Sequence, residues 1–331
     1  MPVLFAATEL MDFVLTGNPS NLFAQTNSSY YLAANSRAGA QVGSGVEDVT
    51  FVEGAFTSTA DIWVHFVVGW VTAVGTQRLV KLYSGGTNRL AFRFDGNGAI
   101  ELSKWNGTAW VILGTSATNS LITTATPYVI DMHLTIGNPG RATIYFNGSP
   151  MVSSAAYDLT WSGVTGYDKI RFCSQHGSFQ IVYSEVIVAD FNTLNSKVVS
   201  RVPDANGTYT AWAGTTGTFA DIDDAAGGTD FITGAADGDR ESWTHTNFPA
   251  LAANESIVYV GMGASALRDA AGPQSFNMFT RISTTDYDKA NETVSVGYTG
   301  FQQGWLVSPA TSAAWTIAEL DAAEFGVRAR T

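Results

Sequence analysis

The chain has 331 residues, of which 29 are acidic and 17 basic, and its formal charge is −12. This acidic excess argues against nucleic acid and anionic membranes as partners, because both bind clustered Lys and Arg. A single cysteine, Cys173, excludes a framework of intrachain disulfides. The length predicts two domains, and 33 glycines with only 14% charged residues are typical of an all-β protein.

Residues 1–15 lack the basic flank and cleavage site of a secretory signal, so export by the usual route is not expected, which fits assembly in a host cytoplasm. The longest uncharged apolar run, residues 62–75, is shorter than the ~20 residues that span a bilayer. No membrane association is therefore expected.

In chain order, residues 1–58 are interpreted as strands and loops, since no helical period is sustained. Residues 61–71 predict a central strand, because apolar side chains occupy both of its faces. Strands with intervening Gly-rich turns are then expected at residues 77–83, 90–94, 100–102 and 110–113.

Residues 127–152 predict two consecutive hairpins. Apolar and polar residues alternate from Tyr128 to Ile136, a Gly-Asn-Pro-Gly turn follows, and alternation resumes until Asn147-Gly148. Asn-Gly suits a type I′ turn, since both positions require positive φ. Strands at 169–173 and 180–188 complete a set whose spacing is typical of a sandwich.

The strand order, the YFNG turn and the closing VYSEVIVADF resemble the concanavalin A-like lectin/glucanase (LamG-type) jelly roll over residues 5–191. We therefore expect an N-terminal jelly-roll domain over residues 1–195. Lectins, glycanases and structural modules all use this fold, so it does not specify a function.

A second, smaller β-sandwich-like domain is expected over residues 196–331. Strands are predicted at 208–213, 240–246, 256–263, 275–283, 293–298 and 305–308. Thr316 and Glu319 form a capping box for one short helix, with Gly326 as the residue that ends it.

This second half resembles the C-terminal module of virion proteins from tailed bacteriophages. The residues that carry the resemblance are TYTAWAG, ADIDD, DRESW and, above all, AWTIAELDAAEFGVRA at 314–329. The resemblance implies a location in the virion, contacts with other virion proteins, and a homo-oligomer on the particle.

Catalytic residues are not expected. Glycanases of this fold resemble one another in carrying Glu-x-Asp-x-x-Glu on one strand, whereas here Glu185 and Asp190 are five residues apart. An odd spacing on a regular strand directs two side chains to opposite faces. The four histidines show no metal-ligand spacing, so no zinc site is expected.

Two further kinds of site stay open. Trp105 and Trp110 flank a tight turn, where they could stack on sugars, pack in the core or contact another subunit. Lectin-like jelly rolls often hold calcium, and the candidate oxygen ligands here are Asp95, Asn97, Asp221, Asp223 and Asp224. Neither run has the spacing of an EF-hand loop, so a hairpin turn and a solvated acidic loop are the favoured interpretation.

Three hypotheses follow. The first is a non-enzymatic structural component of a tailed-phage particle, such as a capsid decoration, head fibre or tail protein, that acts through protein contacts and needs no cofactor. The second is a carbohydrate-binding module that adheres to host surface glycans. The third is an atypical glycanase.

Overall fold

The protein is described by a computed structural model over residues 3–8, 13–16, 22–43, 50–71, 77–95, 98–117, 123–160, 163–173, 180–214, 219–222, 230–269, 271–297 and 299–331. These residues form antiparallel β-structure with a single five-residue helix. None of their helices is long and apolar enough to cross a membrane. The chain divides into two compact units, residues 1–199 and 200–331, and the predicted division after residue 195 lies close to this boundary.

The first unit consists of two sheets. Its described strands are β1 (Val3–Ala7), β2 (Val14–Thr16), β3 (Leu22–Gln25), β4 (Gly39–Val42), β5 (Phe51–Thr59), β6 (Asp61–Trp70), β7 (Gln77–Ser84), β8 (Thr87–Phe94), β9 (Ile100–Trp105), β10 (Trp110–Thr115), β11 (Pro127–Thr135), β12 (Gly140–Phe146), β13 (Ser149–Tyr157), β14 (Tyr167–Cys173) and β15 (Ile181–Ala189).

The eight-stranded sheet has the order β13-β12-β11-β6-β15-β4-β3, with β1 also paired to β15. The seven-stranded sheet has the order β10-β9-β8-β7-β14-β5-β2. Their inner faces share one apolar core, in which the Phe66 ring of β6 meets Phe92 of β8 and Phe172 of β14 at centroid distances of 6.3 and 5.5 Å. Two antiparallel sheets joined by such a core make the all-β sandwich that the alternation predicts.

The hairpins at the centre of the first unit match their local sequence. Strand β6 pairs with β11 on one side and β15 on the other, as a central strand must. Asn147 and Gly148 have φ values of 47° and 78°, which is the conformation of a type I′ turn. The Asn147 side chain also accepts a 2.9 Å hydrogen bond from the Val129 amide.

The assignment of Glu185 and Asp190 to opposite strand faces rests on a regular alternation that the structure lacks. A bulge interrupts β15 between Ser184, opposite Val67, and Ile187, opposite His65. Glu185 lies in this bulge with a φ of 52° and is buried, whereas Asp190 is exposed beyond the end of the strand. A bulge adds one residue and resets the alternation, so spacing alone could not place the pair.

The segment after β15 is polar in sequence and is nevertheless held to the first unit by side-chain and backbone hydrogen bonds. Thr193 is fully buried and donates a 2.8 Å hydrogen bond to Asp131 on β11. The Val198 amide donates to the Glu185 carboxylate over 3.3 Å. Polar anchoring of this kind leaves no hydrophobic period in the sequence.

The second unit contains a six-stranded sheet of order β16-β19-β25-β21-β22, with β23 paired to β21, and the two-stranded sheets β17-β18 and β20-β24. Its elements are β16 (Pro203–Thr210), β17 (Ala213–Gly214), β18 (Ile232–Thr233), β19 (Arg240–His245), β20 (Val260–Ala266), β21 (Ser275–Ile282), β22 (Thr285–Asp288), β23 (Glu292–Thr293), β24 (Thr299–Trp305), α1 (Ile317–Asp321) and β25 (Glu324–Arg330).

The C-terminal helix begins as predicted but ends earlier. Thr316 caps α1 by accepting a 3.2 Å bond from the Glu319 amide. Gly326 does not end the helix, which stops at Asp321, but lies inside β25 between β19 and β21. A Cβ at this position would lie 2.2 Å from the Glu241 carbonyl oxygen, so close packing of strands explains the glycine.

Candidate functional site

The outer face of the seven-stranded sheet carries an aligned row of small, polar and charged side chains. The residues that alternate with the core positions align across β9, β8, β7, β14 and β5 as Ser103, Ala91, Lys81, Arg171 and Glu53. Strand register thus brings together residues from five separate parts of the chain.

We refer to this side as the cationic face. It comprises Phe51, Glu53, Arg78, Lys81, Tyr83, Ala91, Arg93, Glu101, Ser103, Trp105, Trp110, Lys169 and Arg171. Among these described residues, five basic side chains accompany two carboxylates, although the whole chain is strongly acidic.

The predicted tryptophan pair lies at one side of the cationic face. Trp105 and Trp110 are directly opposite each other on β9 and β10, with ring centroids 5.5 Å apart and planes inclined by 60°. Both rings are half-buried. They therefore form one aromatic surface and do not belong to the sandwich core.

Trp110 also reaches the basic residues of β7. Its ring centroid is 5.1 Å from Arg78 Cζ and 5.9 Å from Lys81 Nζ. Because β9 and β8 separate β10 from β7, the indole must extend over the small side chains of Ser103 and Ala91. Both of these are 1% exposed, and the Ser103 hydroxyl has no hydrogen-bond partner among the described residues.

The opposite side of the face combines cations with aromatic rings. Arg171 Cζ lies 3.4 Å from the Phe51 centroid and 4.6 Å from that of Tyr83, and Lys169 Nζ is 5.5 Å from Tyr83. Glu53 contacts Arg171 Nη2 at 3.1 Å and Lys169 Nζ at 3.7 Å. The guanidinium is thereby held in a fixed orientation.

A second guanidinium–carboxylate pair connects β8 and β9. Arg93 Nη2 donates a 2.8 Å bond to Glu101 Oε2, and Arg78 is the cross-strand partner of Arg93. The exposed fractions of the Arg93, Lys169 and Arg171 side chains are 22%, 28% and 14%. These three basic groups are thus oriented by neighbours while remaining in contact with solvent, whereas Lys81 of the same face is fully buried.

The predicted calcium ligands do not converge in the described part of the chain. Asp95 accepts a 2.8 Å bond from the Ala99 amide across its hairpin turn, and Asp221 is buried near Gly214. Asn97, Asp223 and Asp224 lie outside the described residues. Within the described ranges, no three His, Cys, Asp or Glu side chains are grouped so that they could hold a metal ion.

A buried acid–base group lies on the outer face of the other sheet. His65 Nδ1 is 2.9 Å from Asp131 Oδ1, and these residues are 2% and 1% exposed. Burial raises the pKa of nearby Glu185, although a hydrogen bond from Asn35 opposes this effect. Because Thr193 and its neighbours cover the group, it is placed to anchor the chain and is closed to a substrate.

The second unit has a charge network on its six-stranded sheet. Asp288 accepts bonds of 2.8 and 3.0 Å from Arg240 and one of 3.0 Å from Arg328, and Asp286 accepts from Arg281 at 2.7 Å. Burial acts to raise the pKa of Asp288, but these guanidinium contacts outweigh it and the pKa is lowered. The network ties strands β19, β25, β21 and β22 together.

No protein-family model and no curated protein matches the chain. Similar solved structures include an endo-β-1,4-glucuronan lyase from Trichoderma reesei, with 11% identity over 57% of this chain and 96% of that one and a TM-score of 0.43. The globular domain of T. cruzi calreticulin has 11% identity over 58% and 89%, with a TM-score of 0.42.

Galectin LEC-6 of Caenorhabditis elegans has 16% identity over 42% of this chain and 91% of its own, with a TM-score of 0.32. These three neighbours share at most 16% identity with the chain and have TM-scores below 0.5, so the likeness gives no information about the activity of this chain.

Proposed function

We propose that this protein is a non-catalytic carbohydrate-binding protein and that the cationic face of its first unit holds the glycan. The observation that carries the proposal is the Trp105–Trp110 pair, which presents half-buried indole rings outside the core. Tryptophan combines a large apolar surface with one polar N–H, which suits the mixed apolar and hydroxylated surface of a sugar ring.

The surroundings of the pair support a polar ligand. Lys169, Arg93 and Arg171 supply charged donors from neighbouring strands, and rigid strands position such donors more accurately than loops do. Binding sites of this type combine apolar area with a few placed polar groups.

The carboxylates on the face favour binding over hydrolysis. Glycosidases flank the scissile bond with two carboxyl groups, one of which donates a proton. Here Glu53 and Glu101 are each engaged by a guanidinium group, from Arg171 and Arg93 respectively. We therefore propose that a bound glycan is retained intact.

A glycan array with purified protein tests this proposal. Wild-type protein is expected to bind a defined subset of glycans, and Trp110→Ala is expected to lose that binding by at least about tenfold. Trp63→Ala is the matched control, because Trp63 stacks on His133 of the eight-stranded sheet, away from the cationic face. Equal loss in both variants, or no glycan bound by the wild type, would contradict the proposal.

Release of reducing sugar from the bound glycans tests the non-catalytic part separately. The wild-type protein is expected to release none above a heat-denatured control. Sustained release would contradict the non-catalytic part of the proposal and favour the hypothesis of an atypical glycanase.

We further propose that the module is carried on a tailed-phage particle in repeated copies. This rests on the resemblance of residues 314–329 to virion proteins. The second unit also exposes Phe231, Val258 and Val296 by half or more, as side chains that other virion proteins could cover. Mass spectrometry of gradient-purified particles should find the chain, whereas its confinement to the lysate would contradict this placement.

A further inference from the structure

We propose that the β20 edge of the second unit is a dimerisation surface, which pairs antiparallel with the β20 strand of a second copy of this chain. The proposal concerns the second unit and does not depend on glycan binding by the first. It rests on three observations: the ribbon formed by β20 and β24 has an accessible edge, this edge lacks the features that prevent strand pairing, and both ends of β20 are exposed and apolar.

Strands β20 and β24 form a two-stranded ribbon with seven continuous residue pairs. One face of the ribbon packs on the core of the second unit through Met262, Ala264 and Phe301. Among the described residues, no backbone hydrogen bond joins β20 to any strand except β24. Gly261 and Gly263 are exposed, whereas the residues of β24 are half-buried or buried, so β20 is the more accessible edge.

The β20 edge is not protected against pairing. Exposed sheet edges normally carry a charge, a proline or a bulge that keeps other chains from adding a strand. Strand β20 has the sequence VGMGASA, which contains none of these, and its register with β24 is unbroken. Several other edge strands in the described part of the chain differ, since β10, β13 and β16 contain register shifts and β22 contains two aspartates.

The ends of β20 indicate that the partner is a second copy. Val258 lies two residues before the strand and Leu267 follows it directly, and their exposed fractions are 50% and 43%. In an antiparallel pair of identical strands, the start of each strand meets the end of the other. Val258 therefore lies beside Leu267 of the partner subunit, and the two-fold axis repeats this apolar contact at the other end.

The charge distribution favours the same contact. The whole chain carries a formal charge of −12, so two copies repel each other except where their surfaces are uncharged. No charged residue occurs between Glu255 and Arg268 or between Glu292 and Glu319, and these two ranges contain both strands of the ribbon. Because each copy uses its β20 edge once, symmetric pairing through this edge stops at a dimer.

Sedimentation equilibrium of the full chain tests the proposal. One strand and its ends make a smaller contact than a standard interface of about 1,600 Å². The wild type is therefore expected to dimerise reversibly with a Kd of about 1–100 μM. Val258→Asp combined with Leu267→Asp places like charges side by side and should weaken dimerisation at least about tenfold. Val111→Asp combined with Ile112→Asp is the matched control, because it adds the same charge at exposed apolar positions of the first unit.

Hydrogen exchange separates strand pairing from other modes of association. As the protein concentration rises and dimer forms, the amides of residues 260–266 are expected to exchange at least about threefold more slowly, because outward-facing amides gain hydrogen-bond partners. Three results would each overturn the proposal: a chain that stays monomeric up to about 100 μM, equal weakening of the dimer by both double variants, or dimerisation without protection of residues 260–266.

Discussion

Thr193 Oγ1 donates a 2.8 Å hydrogen bond to Asp131 Oδ1, the same oxygen that lies 2.9 Å from His65 Nδ1. Thr193 is fully buried, and the two sheet residues are 2% exposed or less. A residue that follows the last strand of the sandwich is therefore held by the eight-stranded sheet. The bond fixes the end of the first unit and makes local opening of this segment costly.

Thr193→Val tests this anchor. The substitution keeps the side-chain shape and removes only the hydroxyl, so the free energy of unfolding of the first unit should fall by about 1–2 kcal/mol. Limited proteolysis should then cut within residues 191–199 faster than in the wild type. Thr87→Val, at an exposed position on β8, should change neither quantity.

Glu185 predicts a pH dependence of the first unit. Burial raises its pKa in the folded state, which means that folding favours the protonated carboxyl. The stability that this group contributes is fully present below its unfolded pKa and is lost as the pH rises through the raised folded pKa. Glu185→Gln, which cannot ionise, should therefore flatten this loss.

The measurement for Glu185 is urea unfolding of the first unit at several pH values. The difference in unfolding free energy between Glu185→Gln and the wild type should grow in favour of the variant as the pH rises from acid to neutral. A constant difference across that range would mean that folding does not raise the pKa of Glu185.

The hairpins could be predicted because their information is local. Asn147-Gly148 requires two positive φ values, and alternation on either side fixes which residues face inward. The bulge at Glu185 could not be predicted in the same way. Its apolar neighbours fit an uninterrupted strand, and only pairing with β6 reveals the extra residue.

The candidate site was predicted only in part. Trp105 and Trp110 are close in sequence and flank a turn, so their pairing could be expected. Lys81 and Arg171 are cross-strand neighbours that lie far apart in the chain. Their polar positions in alternating strands were visible in the sequence, but the strand order that aligns them was not.

Gly326→Ala tests the close packing of β25. The added Cβ would lie 2.2 Å from the Glu241 carbonyl oxygen and 2.6 Å from the Phe279 ring, and the backbone of a central strand cannot move aside easily. We expect a loss of about 3 kcal/mol in the unfolding free energy of the second unit. Gly297→Ala is the control, because a Cβ there meets nothing within 4 Å. Equal effects of both substitutions on denaturant unfolding would argue against β25 as a tightly packed strand.

Glu324 predicts acid sensitivity of the second unit. Burial acts to raise its pKa, but bonds from Thr208 at 2.6 and 2.8 Å and from Ser242 at 2.7 Å outweigh that effect, and the pKa is lowered. The stability that Glu324 contributes is present above the unfolded pKa of a glutamate, 4.5, and is lost as the pH falls through the lowered folded value.

Glu324→Gln should cost about 1 kcal/mol at neutral pH, since the carboxylate is partly exposed to solvent. Its unfolding free energy should approach that of the wild type as the pH is lowered below 4.5, and a gap that stays constant in acid would rule out Glu324 as a source of acid sensitivity.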